Sequence, residues 1–358
     1  MTPTLPLSST LTAALAPLAA TLSPGRPCAL LDYPSYPNLG DHLIWLGSLL
    51  YLRDRGCRLV YTASALNFDP AQLEQALPAG APILLNGGGN FGNLWPRYQQ
   101  FREQIVARYP HHPIILLPQT LYFTDPVPLQ RAAAVFNRHP QLTLCLRDRR
   151  SLAIAQTHFS ACQLLLAPDM AFQLAGHPGF EPNPSPHAQG LLYLCRQDRE
   201  QPETVALDLP QLTIADWPSF AWRLGAANSV WRQCLAWGIR KGWQRGLAHP
   251  REWLARQHWQ RRSQPEFRSW AQPSWRHHRE SWSFVHAGLY QFQHYRGIIT
   301  NRLHGHILAL LIEQPHVFLA NRYYKNEAFY ETWTHTVPFC TFAPSLAAAR
   351  PAIDRLLI

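Results

Sequence analysis

Short apolar runs alternate with helical patterns through the first half of the chain, and this alternation restricts the fold more than any other feature of the sequence. The runs lie at 28–33, 57–61, 82–86, 114–118, 142–146 and 163–169, and the helical patterns lie near 41–55, 96–108, 129–137 and 151–158. Continuous apolar strands separated by helices are typical of a parallel sheet covered on both faces. We therefore predict an α/β fold with a doubly wound, Rossmann-like sheet.

The second half repeats this pattern less clearly, with apolar runs at 190–196, 297–300 and 316–319. A chain of 358 residues with 47% hydrophobic content is long enough for two such domains. We predict an N-terminal domain over 1–175, a linker at 176–189, a C-terminal domain over 190–343 and a C-terminal helix at 344–358. Ligands of open parallel sheets bind beyond the carboxyl ends of the strands, so two facing sheets would form a cleft.

Composition disfavours several classes of protein. No run of about 18 apolar residues is present, so we expect no membrane span. The N-terminus has no basic start and is interrupted by Pro6 and Pro17, so we expect no signal peptide. The seven cysteines are scattered and include no Cys-x-x-Cys pair. We interpret them as buried thiols of a cytoplasmic protein, and we expect neither disulfides nor a metal site.

The segment 297–326 predicts an anion site, because a β-type run ends in Thr-Asn-Arg-Leu-His-Gly-His and passes directly into an apolar helix. The candidate caps and ligands at this corner are Thr300, Asn301, Arg302, His304 and His306. A helix N-terminus, an arginine fork and two imidazoles fit a substrate with phosphate and carboxylate groups. The alternative is that the arginine pairs with a structural carboxylate and the histidines only fill space.

Two loops that follow predicted strands also have an unusual composition. The first has Asn38, Gly40 and Asp41 at its turn; Asp41 would cap the next helix, which is the simpler interpretation, or act as a base. The second is a glycine loop, which contains Gly87, Gly88, Gly89 and Asn90. Such a loop can present N–H groups to a phosphate or let a sugar lie against bare backbone. Its spacing is neither that of a Walker loop nor that of a dinucleotide fingerprint.

Three further polar residues, Gln119, Arg147 and Asp169, lie at the ends of predicted strands. The Arg147 head group would emerge at the carboxyl edge of the first sheet, where ligands of parallel sheets bind. Ligand binding and a structural salt bridge to Asp148 or Asp169 explain its position equally well.

Six motifs occur in order between residues 32 and 326: DYPxxxNxGDxxIWLG, GGGNFGxLWP, LPQT, RDxxS, PDMAF, and TxRLHGHILALL followed by PHVFLxNxYxKN. Together they resemble the polysaccharide pyruvyl transferase family. The resemblance implies a fold like that of the two-domain GT-B glycosyltransferases. It also implies transfer of the enolpyruvyl group of phosphoenolpyruvate to two hydroxyls of a sugar, which gives a cyclic ketal and phosphate. The implied donor ligands are Arg147, Arg302, Leu303 and His304, and Lys325 lies in the last motif.

Our mechanistic hypothesis is that His304 protonates the donor and Asp41 accepts a hydroxyl proton. No cofactor is expected, and the expected partners are phosphoenolpyruvate and a saccharide from an exopolysaccharide or cell-wall precursor. The chain has Asn93 and Asn301 where the family commonly has aspartate. A non-catalytic saccharide-binding relative, disabled by these two changes, is therefore one alternative. A nucleotide-sugar glycosyltransferase is the other, because the cleft and the glycine loop would also suit a nucleotide diphosphate.

The segment 217–283 lies outside the resemblance and has a composition of its own. It contains ten of the thirteen tryptophans and twelve arginines and lysines against three glutamates. This composition favours contact with anionic lipids at the inner face of the cell membrane, or binding of a lipid-linked saccharide. An equally good interpretation is a helical insertion whose tryptophans pack inward. No nucleic-acid module is recognisable, so we expect no nucleic-acid partner.

Overall fold

The computed structural model of the protein contains two parallel β-sheets with helices on their faces. It describes residues 10–181 except 12, 188–196, 209, 211–217, 231, 234, 238, 250–263 and 275–357. The first sheet has seven strands and the second has five. This architecture agrees with the predicted α/β class and with two Rossmann-like sheets.

The first sheet is built from the N-terminal half of the chain. Its strands are β1 (Pro27–Leu31), β2 (Arg58–Ala63), β3 (Ile83–Leu85), β4 (Gly88–Gly92), β5 (Ile114–Tyr122), β6 (Leu142–Leu146) and β7 (Gln163–Leu166). The strand order is β2-β1-β3-β5-β6-β7, with β4 paired to β5 outside this path. The chain changes direction across the sheet between β1 and β3, which is where open α/β sheets bind ligands.

The helices of this half are α1 (Ala16–Ala19), α2 (Leu39–Asp54), α3 (Pro70–Ala76), α4 (Pro96–Arg108), α5 (Pro126–Phe136) and α6 (Arg149–His158). The predicted strands and helices are all present within a few residues of their expected bounds. The prediction of a glycine loop is wrong, because Gly88–Gly92 forms β4 and pairs with β5. The pattern gave no sign of this strand, since its glycines lack the side chains by which a strand is recognised.

The second sheet is built from β8 (Leu191–Leu194), β9 (Leu212–Ala215), β10 (Gly297–Thr300), β11 (His316–Leu319) and β12 (Cys340–Ala343), in the order β12-β11-β10-β8-β9. Its helices are α7 (Pro250–Ser263), α8 (Trp275–Phe292), α9 (Leu303–Leu311), α10 (Lys325–Phe329) and α11 (Arg350–Leu357). In this sheet the strand order changes direction between β8 and β10. The residues that follow these two strands therefore lie at the second ligand-binding edge.

Helix α2 lies between the two sheets and joins their cores. Thirteen of its sixteen residues are buried, so it is covered on every side. It packs against α8, α9 and the short 3-10 helix Met170–Leu174. A Cβ on Gly47 would overlap the backbone of Met170, which explains a glycine in mid-helix. One apolar cluster consequently runs from the first half of the chain into the second.

Most of the tryptophan-rich segment 217–283 lies outside the described residues. Trp217, Trp259 and Trp282 pack inward; the Trp259 and Trp282 rings lie 5.0 Å apart, and Trp282 is fully buried. Trp231 and Trp253 are exposed. The packed tryptophans fit the interpretation of a helical insertion. Among the described residues, no helix is long and apolar enough to cross a membrane. All seven cysteines are free thiols, and Cys234 alone among them is exposed.

Candidate active site

The first turns of α2 and α9, one from each half of the chain, lie against each other. A Cβ on Gly40 would overlap the ring of His304, so a glycine is required where the helices touch. Asn38 caps α2 by accepting a hydrogen bond from the Gly40 N–H at 3.3 Å. Helix α9 has no side-chain cap. Two positive helix ends therefore converge at His304, an arrangement that favours an anion.

The Asp169 carboxylate connects two of the predicted donor ligands. Its Oδ2 lies 2.5 Å from the Arg147 guanidinium and 3.4 Å from Nε2 of His304. The shorter contact is a hydrogen-bonded ion pair, and the longer one joins opposite charges only when the His304 ring is protonated. Burial raises the pKa of Asp169, but His304, Arg147 and the Ala171 N–H outweigh burial and hold that pKa at about 2. Asp169 is therefore ionised and orients both neighbours.

Arg147 is buried at the carboxyl end of β6 and also donates from Nε to Thr120 Oγ1 at 2.9 Å. The predicted salt bridge to Asp169 is thus present. Asp148, the other predicted partner, instead caps α6 by accepting from the Ser151 N–H at 2.7 Å. The second nitrogen of the Arg147 fork points to the glycine strand, as described next.

One flank of the glycine strand faces two cations. The position that a Cβ would take on Gly89 lies 3.0 Å from an Arg147 terminal nitrogen and 3.8 Å from Lys325 Nζ. Lys325 belongs to α10 of the second half and is almost fully buried. Two cations from different halves of the chain therefore meet over bare backbone. An anion of phosphate size is the group that such an arrangement favours.

The other flank of the glycine strand faces Asp41. A Cβ on Gly88 would lie 3.4 Å from Asp41 Oδ1 and 3.9 Å from Asn90 Oδ1. Asp41 Oδ2 accepts a hydrogen bond from Asn38 Nδ2 at 2.7 Å. The prediction that Asp41 caps α2 is wrong, since Asn38 takes that position and also fixes the aspartate. Asp41 is half-buried, so it remains accessible as a proton acceptor.

Arg302 is engaged by a carboxylate that the sequence reading did not identify. Its Nε and Nη2 both donate to the Asp216 carboxylate, which follows β9, and the Nη2 to Oδ2 distance is 2.5 Å. The carboxylate pairing named by the alternative interpretation is therefore present, and donor binding by Arg302 stays a prediction. The Asp216 side chain is 21% exposed, so the pair lies at the border of the site and not in the core.

The neighbours of Arg302 are structural. Asn301 Oδ1 accepts from the Arg196 N–H at 2.9 Å and its Nδ2 contacts Cys195 Sγ, so Asn301 does not cap α9. Thr300 Oγ1 accepts from the Arg302 N–H at 3.0 Å, one residue before the helix. The Leu303 side chain is buried in the apolar core, so only its backbone can contact a ligand.

His306 is not a cleft residue, and its predicted place in the site is wrong. It is fully buried, its Nδ1 lies 2.7 Å from His316 Nε2, and its Nε2 lies 3.0 Å from Thr334 Oγ1. With Cys340 these histidines bring three metal-ligand atoms within 4.8 Å of one another. A hydrogen-bonded chain from Thr334 through His306 and His316 to the Gln314 carbonyl satisfies the rings without an ion. Burial lowers the pKa of His306 well below its ordinary value.

Gln119 and Asn93 support the glycine strand. Gln119 is buried and donates to the Asn86 carbonyl at 2.7 Å, which ties β5 to the start of the glycine segment. The Asn93 amide donates to Thr124 Oγ1 at 2.7 Å and accepts from the Thr124 N–H at 2.9 Å. An asparagine makes both bonds, whereas an aspartate can only accept. Sequence reasoning also missed Thr120, although it immediately follows Gln119 at a strand end.

The fold and the site define a class: two parallel α/β sheets whose ligand-binding edges share one polar, partly cationic centre. The polysaccharide pyruvyl transferase family matches residues 38–323 of this sequence. The chain belongs to this family. EpsO of Bacillus subtilis, provisionally named a pyruvyl transferase, is 31% identical over 86% of this chain and 85% of its own.

Two further comparisons agree with this family and fold. Pyruvyl transferase 1 of Schizosaccharomyces pombe is 27% identical over 87% of this chain and 70% of its own length. A functionally uncharacterised protein of Klebsiella pneumoniae of known crystal structure superposes with a TM-score of 0.55 at 16% identity. That superposition covers 94% of this chain and 98% of the other, and it supports the fold alone.

Proposed function

We propose that the protein transfers the enolpyruvyl group of phosphoenolpyruvate to two hydroxyls of a saccharide and forms a cyclic ketal, between two domains arranged as in GT-B glycosyltransferases. The observation that supports this proposal is that Arg147 and Lys325 face the glycine strand, while Asp169 links Arg147 to His304 in the uncapped first turn of α9. Phosphoenolpyruvate has close to three negative charges and needs fixed cations and helix N–H groups.

The donor phosphate would lie against Gly89, between Arg147 and Lys325. Its carboxylate would take the Arg302 fork, which must then turn from Asp216 to the ligand. A ligand carboxylate can replace Asp216 because the pair is partly exposed and the geometry of the fork is the same. This assignment adds Lys325 to the cations that the family resemblance implies.

The chemistry would proceed in two additions at the same carbon. His304 donates a proton to the methylene carbon, which becomes a methyl group, and C2 gains oxocarbenium character. The first sugar hydroxyl attacks C2 while Asp41 accepts its proton. The bond from C2 to the phosphate oxygen breaks, the departing phosphate takes up through solvent the proton that Asp41 accepted, and the cations hold the hydrogen phosphate that leaves. The second hydroxyl then attacks C2, closes the ring and returns a proton to His304.

A nucleotide-sugar glycosyltransferase is the second candidate, because the glycine strand and the two cations would also suit a diphosphate. The asparagines at 93 and 301 do not by themselves favour a non-catalytic relative, since both make structural hydrogen bonds. We propose that the acceptor is an exopolysaccharide or cell-wall precursor handled in the cytoplasm. A lipid link and a peripheral membrane contact through segment 217–283 stay predictions.

The test is calorimetric titration of the full chain with phosphoenolpyruvate and, separately, with UDP-glucose and GDP-mannose. We expect phosphoenolpyruvate alone to bind, and Lys325→Gln to weaken that binding by about tenfold or more. Arg322→Gln is the matched control, because it removes the same charge from an exposed position three residues before Lys325. Binding of a nucleotide sugar without phosphoenolpyruvate would overturn the proposal in favour of glycosyl transfer.

A further inference from the structure

The flank of the glycine strand opposite Arg147 has the composition of a sugar site. Tyr36 and Tyr98 lie there with ring centroids 5.3 Å apart, and both are half-buried. Tyr36 adjoins Asp41, and Asp32 lies close enough to influence the ionisation of both tyrosines. Aromatic faces beside carboxylates and amides are the groups that bind the apolar faces and the hydroxyls of pyranose rings.

Beneath these residues, Asp32, Asn90 and Arg102 form a hydrogen-bonded polar network, here called the polar floor. Arg102 is fully buried and donates to Asp32 Oδ2 at 2.8 Å and to the Asn90 carbonyl at 3.0 Å, and it also contacts the Asn90 side-chain oxygen. Because that oxygen faces Arg102, the Asn90 amide nitrogen is oriented away from it and can donate to a ligand. Asp32 has a φ of 66°, a left-handed conformation that turns the chain sharply at the end of β1.

The polar floor lies at the carboxyl edge of the first sheet, near the point where the strand order changes direction. Asp32 directly follows β1, and Asn90 lies in β4, which comes after β3 in the chain. Strands β1 and β3 flank the point where the first sheet changes direction. Open α/β sheets bind ligands at that point. The cations described above lie on the other flank of the same strand. The glycine strand therefore separates an anionic flank from a cationic one.

We propose that the anionic flank is the acceptor subsite, where Tyr36 and Tyr98 pack against an uncharged pyranose and Asp41 and Asn90 bind its hydroxyls. Asp32 and Arg102 are positioning residues that hold Asn90. Asp32 is paired with Arg102, so the net negative charge of this flank comes from Asp41, and that charge disfavours a uronic acid or a phosphorylated sugar. The inference rests on the proposed function for the role of the sugar, since the hydroxyls bound by Asp41 are those that would attack the donor.

The test measures saturation-transfer NMR signals of methyl α-D-glucopyranoside and methyl β-D-galactopyranoside with the full chain, with and without phosphoenolpyruvate. The anionic probe is methyl α-D-glucopyranosiduronate. We expect at least one neutral glycoside to bind and the uronate to bind about tenfold more weakly. Tyr98→Ala should reduce the signal about tenfold, whereas Tyr98→Phe, the matched control, should retain it.

Calorimetry with phosphoenolpyruvate separates the two proposals. Tyr98→Ala should bind phosphoenolpyruvate as the native chain does, because Tyr98 lies on the other flank from Arg147 and Lys325. If the native chain bound no glycoside, or if Tyr98→Ala bound it as well as Tyr98→Phe, the acceptor subsite would be refuted while the donor assignment stood. If glycosides bound as expected but phosphoenolpyruvate did not, the proposed transfer would fail and the sugar subsite would stand.

Discussion

Replacing Asp169 with asparagine tests the buried centre of the site most directly. The change keeps the side-chain shape but leaves the buried Arg147 guanidinium without its carboxylate partner 2.5 Å away. Breaking a buried ion pair on one side costs about 3–5 kcal/mol. The depressed pKa of Asp169 agrees in sign, since it means that the folded site favours the ionised carboxylate. We expect Asp169→Asn to lose about 3–5 kcal/mol of unfolding free energy at neutral pH.

The assay is urea unfolding followed by tryptophan fluorescence, with Asp354→Asn as the matched control. Asp354 pairs with Arg350 at 2.9 Å, but both side chains are about half exposed, so its loss should cost less than about 1 kcal/mol. A cost for Asp169→Asn that is no larger than the cost for Asp354→Asn would refute the reasoning.

The pH dependence of this difference has a definite sign. Because the folded pKa of Asp169 lies below its ordinary value, its contribution is fully present above 3.8 and is lost as the pH falls towards 2. The gap between the native chain and Asp169→Asn should therefore be constant near neutral pH and become smaller in acid. A gap that grew as the pH fell below 3.8 would contradict the assignment of Asp169 as an ionised, stabilised carboxylate.

Three further predictions test the surroundings of the site. Gly40→Ala should reduce phosphate release by about 100-fold with little change in circular dichroism, because its Cβ displaces the His304 ring. Normal turnover by Gly40→Ala would show that catalysis does not depend on the position of the His304 ring. Asp216→Asn should tighten phosphoenolpyruvate binding about tenfold by releasing Arg302, and weaker binding would show that Asp216 only holds the arginine in place. His306→Leu should lower the free energy of unfolding in urea by about 1–3 kcal/mol and leave the KM for the donor unchanged. An altered KM would show that His306 contributes to donor binding.

The sequence predicted the strands and helices of the first half well because each is a short, uniform pattern bounded by turn residues. The glycine strand was missed for the opposite reason, since Gly88–Gly92 has almost no side chains and its strand form depends on pairing with β5. The long helix α8 was also missed. Its neighbours in sequence are rich in tryptophan and arginine, so its boundary with them is not visible in composition.

The candidate site was predictable where a polar residue directly follows an apolar strand, as Arg147 and Asp169 do. It was not predictable where two distant segments determine the role of a residue. Arg302 was correctly singled out, but its carboxylate partner comes from a strand more than eighty residues earlier. His306 looked equivalent to His304, yet the helix turns it away from the cleft and into the interior, against His316 and Phe318. Spacing along the chain cannot show which of two histidines on a helix faces the ligand.

The all-round burial of α2 has a consequence for how the chain is made. This helix belongs to the first 54 residues, but the segments that cover one side of it are α8 and α9, at 275–311. During synthesis, this apolar helix therefore stays exposed to solvent until most of the remaining chain has been produced. Such exposed apolar surface promotes aggregation or chaperone binding. The N-terminal half expressed alone would keep that exposed surface permanently. Co-expression of the two halves as separate chains should restore solubility, because each supplies the surface that the other lacks.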